Sequence, residues 1–240
     1  MSVHSGSESG VIEASARSLI RGARIGSLAT LDAATAAPYA SLIACATGTD
    51  GSPLFLISTL AWHTRNLEAD PRASVLFAAE AGEHDPLTLG RVSLMGVANR
   101  IDDALARQRY LARHPGAAVY ADFTDFAFWR LAVERAHHVG GFGRISTLSA
   151  DALLLDAAMA ANWSSRIEAV IGEINVAEPE LLARIGASLS GKQAEGWQIA
   201  ACDPDGCDLI AGDVTARLAF PQCLDAPEAL AGVIRELGAP

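Results

Sequence analysis

Between Leu54 and Phe77 the chain reads LFLISTLAWHTRNLEADPRASVLF, an apolar run followed by hydroxyls, an imidazole, a guanidinium and an amide. Those groups belong to Ser58, Thr59, His63, Thr64, Arg65 and Asn66. Small donors at a strand end, with an arginine one turn further on, can surround a phosphate. Hydroxyls and free amides give directional bonds, and the guanidinium gives charge. The same residue types also cap an ordinary strand–turn–helix and face water, so spacing alone leaves both readings standing. Arg91, in LGRVSLMG, is a second basic residue. On a strand it can point inward toward the same anion, with Ser93 sharing its face through the period of two; an exposed strand arginine is the alternative. His137 and His138, in ERAHHVGGFGR, face opposite sides of a strand, so one at most reaches a given pocket. Each is a candidate haem or metal ligand, or a hydrogen-bonded structural histidine.

Other chemistry is absent or poorly formed. The chain has no Gly-x-Ser-x-Gly elbow, Walker loop or HExxH helix. GGFGR lacks the strand-to-helix setting of a dinucleotide fingerprint. Cys202 and Cys207 flank the turn DPDG without a His or further Cys pair to complete a zinc site, so two reduced thiols are expected and no metal. Asp203, Asp205 and Asp208 lack the spacing of a calcium loop and read as a solvated turn. All six histidines (His4, His63, His84, His114, His137 and His138) lie in the first 138 residues, which leaves the rest of the chain without an imidazole.

These residues need elements to position them. Half of the 240 residues are apolar and 19% are charged, enough for a sizeable core. A net charge of −10 argues against a nucleic-acid or anionic-membrane binder. No signal-type leader and no spanning apolar run is evident, and four sparse cysteines do not make a disulfide scaffold. A cytoplasmic protein is the expectation. Ile12, Ala16, Leu19 and Ile20 share one face of a helix over 11–23. RIGSLATLD, YASLIACATG, LFLIS, RASVLFAAE and LTLGRVSLMGVANRI read as strands, with TDGSP a hairpin turn. DDALARQRYLARHP reads as a helix, and DFAFWRLAVERAHHVGGFGRI as one or two strands. Strands joined mainly by hairpins favour an antiparallel barrel. Near residue 150 the texture changes to a connecting helix over 149–162. Helices over about 163–174 and 178–190 follow, then strands with turns at DPDG and AGD and a last helix at about 226–237.

In this order the motifs resemble the flavin-binding split-barrel proteins related to pyridoxamine 5′-phosphate oxidase. The closer likeness is to the HugZ-type haem-utilisation branch, with HTRNLEADPR and VGGFGR as its more specific segments. The resemblance implies an α+β fold: a six-stranded antiparallel split β-barrel of FMN-binding type with a smaller C-terminal α/β domain. The expected division is a flexible N-terminus at 1–10, the barrel at 11–150, the connecting helix at 151–162 and the small domain at 163–240. It further implies a homodimer holding FMN or a related planar ligand at the interface. Ser58, Thr59, Thr64, Arg65 and Asn66 would line the flavin phosphate site, with His63 in the same segment and Arg91 close by. The activity implied is that of a flavin-dependent oxidoreductase of unassigned substrate, with no catalytic residue identified. A haem-binding or haem-degrading protein and a cofactor-free adaptor are the alternatives. The branch carries a segment resembling MNEDHADAL after a C-terminal helix. Here Ile174-Asn175-Val176-Ala177-Glu178 stands in its place, with Glu178 where a His would be. Haem ligation then falls to His137, His138 or another N-terminal His.

Overall fold

The computed structural model describes residues 5–79, 85–141 and 144–239; His4, His84 and part of the VGGFGR turn lie outside them. Helix α1 (Ser5–Gly22) takes in residues 5–10, expected as part of a flexible terminus. Ser9 donates to the Glu13 carboxylate one turn on, a contact that supports an exposed helix. Ala16 and Ile20 are buried, as the apolar spacing predicts. Strands β1 (Ile25–Leu31) and β2 (Pro38–Ala44) pair as an antiparallel hairpin, and β3 (Ala46–Thr47) turns back into β4 (Pro53–Ser58). In that turn Gly51 holds φ at +96°, a conformation open to glycine. Asp50 accepts from the amide and hydroxyl of Ser52.

Helix α2 (Trp62–Ala69) leads into β5 (Arg72–Ala78), which pairs with β6 (Gly90–Ile101). Helix α3 (Ala104–Arg113), β7 (Phe126–Gly140) and β8 (Ile145–Ser149) follow. The strands make one curled antiparallel sheet of eight, in the order β2-β1-β5-β6-β7-β4-β3, with β8 on the far half of β7. Two strands exceed the six expected. One is the short β3, cut from β2 where the Cys45 amide turns to the Arg24 carbonyl. The other is β8, which pairs back on β7. The inner face buries Leu28, Phe55, Val75, Val92 and Leu131 against Ala16 and Ile20 of α1. Helix α3 covers part of the outer side, where Tyr110 packs with Leu54, Leu56 and Phe128.

One irregularity governs the site. Met95 opposes Arg135, but Gly96 opposes Val133, so Glu134 is an additional residue on β7. Before this bulge Ala127, Trp129, Leu131 and Val133 face the core; after it Ala136 and His138 do.

The helix expected over 149–162 is broken. Helix α4 (Ala150–Leu153) ends where the Leu154 amide closes on Ala150. Asp156 then caps α5 (Ala157–Ala177) by accepting from the amides of Ala158 and Met159. Helices α6 (Pro179–Ser190) and α7 (Leu230–Leu237) join α5 on the sheet β9 (Gln198–Asp203), β10 (Gly206–Ala211) and β11 (Val214–Ala219). They enclose Ile167, Ile171, Leu182, Leu209 and Ile234. Cys202 and Cys207, opposed in register, are free buried thiols.

The acidic run expected to be a solvated turn is largely buried. Asp203 is 0% exposed and Asp208 6%. The reason is arginine: Asp203 pairs with Arg21, Arg109 and Arg217, Asp208 with Arg113 and Arg217, and Asp205 with Arg17 and Arg21. This network ties α1 and α3 to the small sheet.

Candidate functional site

Strand β4 ends at Ser58, and the chain turns through Thr59–Ala61 into α2. Ala61 stands at the N-cap and offers no side-chain acceptor, so the first-turn amides of α2 have no side-chain cap among the described residues. The predicted phosphate ligands are mostly engaged elsewhere. Ser58 donates its hydroxyl to Asp125 at 2.6 Å. Thr64, buried, donates to the Ser58 carbonyl at 2.6 Å. Asn66, also buried, accepts from the Ala33 amide and donates to the Thr30 hydroxyl. These three residues pin the turn and α2 onto the sheet. Arg65 is exposed and folds back to the Leu60 carbonyl.

Thr59 is exposed and His63 half-buried, and the outward side chains of this segment also include Arg65 and two residues the sequence reading missed, Leu60 and Trp62. The His63 Nδ1 lies 3.0 Å from the Ser41 hydroxyl. Burial lowers its basicity, which leaves the imidazole neutral near neutral pH. Trp62 stacks on Tyr39 with centroids 5.5 Å apart and donates its indole N–H to Asp32. No local signal sets Trp62 apart from a core tryptophan, because its exposure and its partners Tyr39 and Asp32 are set by the fold.

Arg91 does not join this cluster within one chain. On β7 the partner of Ser58 is Phe126 and that of Arg91 is Val139, thirteen residues further along. That is roughly 40 Å of strand. Nor does Arg91 point inward: Val92 and Leu94 take the core face, and Arg91 shares the outer face with Ser93. Its guanidinium donates to the carbonyls of Leu87 and Leu89.

The outer face of the sheet has a different character. One row crosses six strands as Leu42, Ser27, Leu76, Ser93, His137 and Thr147. The next runs Ala40, Ala29, Ser74, Met95, Arg135 and Ser149. Apart from Arg135 and His137 these side chains are small or apolar, and the face is uncovered: Leu42 is 68% exposed, and Ile25 and Ile145 beside the rows are 60% and 63% exposed. Exposed apolar side chains (Ile25, Leu42, Leu76 and Ile145) are thus interspersed with hydroxyls on one uncovered face. His137 sits within it, exposed and without a hydrogen-bond partner among the described residues. Arg135 lies two residues before it and Arg91 diagonally beside it. His138 faces the core, 3.5 Å from the Ser15 hydroxyl, with its pKa lowered by burial and then by Arg144 and His137. Glu178 ends α5 and pairs with Arg235.

His63, His114 and His138 are all held below the ordinary histidine value, each chiefly by burial. The unfolded chain therefore takes up protons that the folded chain refuses. Stability is expected to fall as pH drops through about 6.5. Urea midpoints at a series of pH values check this, and His138→Gln should shallow the slope.

The curled antiparallel sheet with helices around it places the molecule in the α+β half-barrel class. Residues 12–153 match the family described as CREG, beta-barrel, and the chain belongs to that family, within the FMN-binding split-barrel superfamily. Over nearly its whole length it is similar to the protein Atu2129, of unknown function, from Agrobacterium tumefaciens. Identity is 31%, the TM-score is 0.75, and 95% of this chain and 94% of that one are covered. It is also similar to a heme binding protein from Mycobacterium smegmatis, at 30% identity and a TM-score of 0.57, over 95% of this chain and 96% of that one. A stretch of 107 residues, 43% of this chain, is 37% identical to the chloroplastic heme oxygenase HOZ of Arabidopsis thaliana, and it spans 32% of that protein's length. Among the described residues no helix is long and apolar enough to cross a membrane.

Proposed function

We propose that the chain binds haem on the uncovered outer face of its large sheet, with two copies closing over it as a homodimer. The observation that carries this reading is His137, an unpartnered imidazole on an exposed face of small and apolar side chains. Imidazole is an axial ligand for haem iron. Arg91 and Arg135, on the same face, suit the carboxylates at the edge of the ring. The likeness to the Mycobacterium smegmatis heme binding protein over both chains supports the same ligand class. Haem, when bound, supplies the iron chemistry, while the protein ligates and orients the ring and limits water access. In this reading β3 and β8 are additions to a six-stranded split barrel spanning 11–150, linked through 151–162 to a small α/β unit at 163–240.

Titration of the purified protein with hemin is expected to give a Soret shift. His137→Ala should weaken it about tenfold or more, the scale of a lost first-rank contact, while His138→Ala leaves it in place. Equal binding by wild type and His137→Ala removes the ligand assignment.

An FMN-dependent oxidoreductase is the second reading, favoured by the superfamily and by the uncapped amides of α2 beside Thr59, His63 and Arg65. Against it stands the engagement of Ser58, Thr64 and Asn66 in holding the turn. Quenching of FMN fluorescence that Arg65→Ala abolishes would favour flavin over haem. No spectral response to either ligand would favour a cofactor-free adaptor.

A further inference from the structure

The turn from α1 into β1, the end of α3 and strand β11 line an open-sided cavity of about 140 Å³, with Arg113, Arg217, Asp208 and Thr215 in its walls together with the exposed Arg24. Its charges do not balance. Arg113 and Arg217 both donate to one oxygen of Asp208. Arg217 also reaches Asp203, but that carboxylate is shared with Arg21 and Arg109. The Arg24 guanidinium has no acceptor among the described residues, and neither has the Thr215 hydroxyl. Three cations therefore line a cavity whose walls hold one carboxylate, in a chain of net charge −10. Desolvation lowers the Arg24 and Arg113 guanidinium groups below the ordinary arginine value, opposed by Asp208, whereas at Arg217 desolvation is outweighed and Asp203 and Asp208 raise it. Arg24 and Arg113 are thus the two cations of the cavity for which desolvation outweighs the available negative charge.

We propose that this cavity is a binding site for a tetrahedral oxyanion: phosphate, or the phosphoryl end of a phosphomonoester. Guanidinium forks match phosphate oxygens in pairs, and Thr215 adds a neutral hydroxyl donor. Across the whole cluster six arginines (Arg17, Arg21, Arg24, Arg109, Arg113 and Arg217) face three carboxylates (Asp203, Asp205 and Asp208), and that local excess of positive charge favours a phosphate dianion. Size sets the limit: one water occupies about 30 Å³ of liquid, so the cavity takes a phosphoryl group and leaves the rest of a larger molecule outside. The site lies between α1, α3 and β11, apart from the His137 face, and does not depend on what that face binds.

Calorimetric titration of the full chain with inorganic phosphate, at ionic strength held constant with sodium chloride, tests the proposal. Phosphate is expected to bind and to raise the melting temperature. Arg24→Gln should weaken binding about tenfold or more, the scale of one charge-assisted contact, and Thr215→Val by several-fold. Arg24 makes no side-chain hydrogen bond or ion pair among the described residues, so that variant should fold. Displacement of phosphate by glycerol phosphate assigns the phosphoryl end of a larger molecule, and failure to displace it assigns the free ion. No heat and no thermal shift with the wild type overturns the proposal. So does equal phosphate affinity in the wild type and both variants.

Discussion

Replacement of Asp203 by Asn is expected to cost about 3–5 kcal/mol of stability, the scale for breaking a buried ion pair. For a chain of this length that is roughly 6–20 °C in melting temperature. Asp203 is fully buried and receives Arg109 and Arg217 at 3.0 and 2.9 Å, with Arg21 at 3.4 Å. An amide there leaves three guanidinium groups without their shared counter-charge, and its own N–H₂ faces donors. Asp122→Asn is the comparison: Asp122 pairs with Arg107 at the surface, its side chain 80% exposed. An exposed pair of this kind contributes about 0–1 kcal/mol. The pH dependence carries a sign of its own. Burial alone would raise the Asp203 pKa, but Arg21, Arg217 and Arg109 hold it well below the carboxylate range. A depressed carboxylate contributes stability that is fully present above about pH 4 and is lost as pH falls toward its folded value. Acid unfolding of the wild type should therefore steepen below about pH 4, and Asp203→Asn should lose that limb. Equal melting temperatures for Asp203→Asn and Asp122→Asn would show that the network carries no such load.

That network was the least legible part of the chain. Arg109 and Arg113 are four apart and share a helical face, yet in LARQRYLARHP they read as the ordinary basic end of a helix. Their partners Asp203 and Asp208 stand some ninety residues later, in and just after a DPDG turn whose acidic run looks solvated by every local rule. Burial of a charge depends on what the chain brings from elsewhere, and a single sequence carries no register for that. Hairpin order was legible because it is local. Asp-Gly in TDGSP, alternation in LTLGRVSLMGV and the Asp–helix–Pro pattern of α3 each act within a few residues. The phosphate cluster lies between these cases. The sequence placed its residues correctly on a strand–turn–helix, but which of them faced inward depended on contacts with Thr30, Ala33 and Asp125 from other elements.

Substitution of Gly96 by Val is expected to be the most damaging single change to the large sheet that touches no charge. A Cβ at Gly96 would meet the Ala132 carbonyl of the facing strand, backbone that cannot swing aside. Relief requires the β6–β7 pairing to move where Glu134 bulges out. Overpacking of a core costs about 1–3 kcal/mol and more when backbone must shift; here the upper end applies. The bulge also decides which histidine is available. Unbroken alternation from Val133 would turn Arg135 and His137 to the core and send Ala136 and His138 outward. The additional residue reverses that, and puts His137 on the exposed face. Strict period two could say only that one of the pair faces out. Gly96→Ala, the milder change, should therefore weaken hemin binding more than an equal loss of stability imposed at a distant site such as Asp203. Hydrogen exchange over 128–139 locates the disturbance. If Gly96→Ala keeps native exchange there together with an unaltered Soret titration, the bulge does not set the geometry of the His137 face.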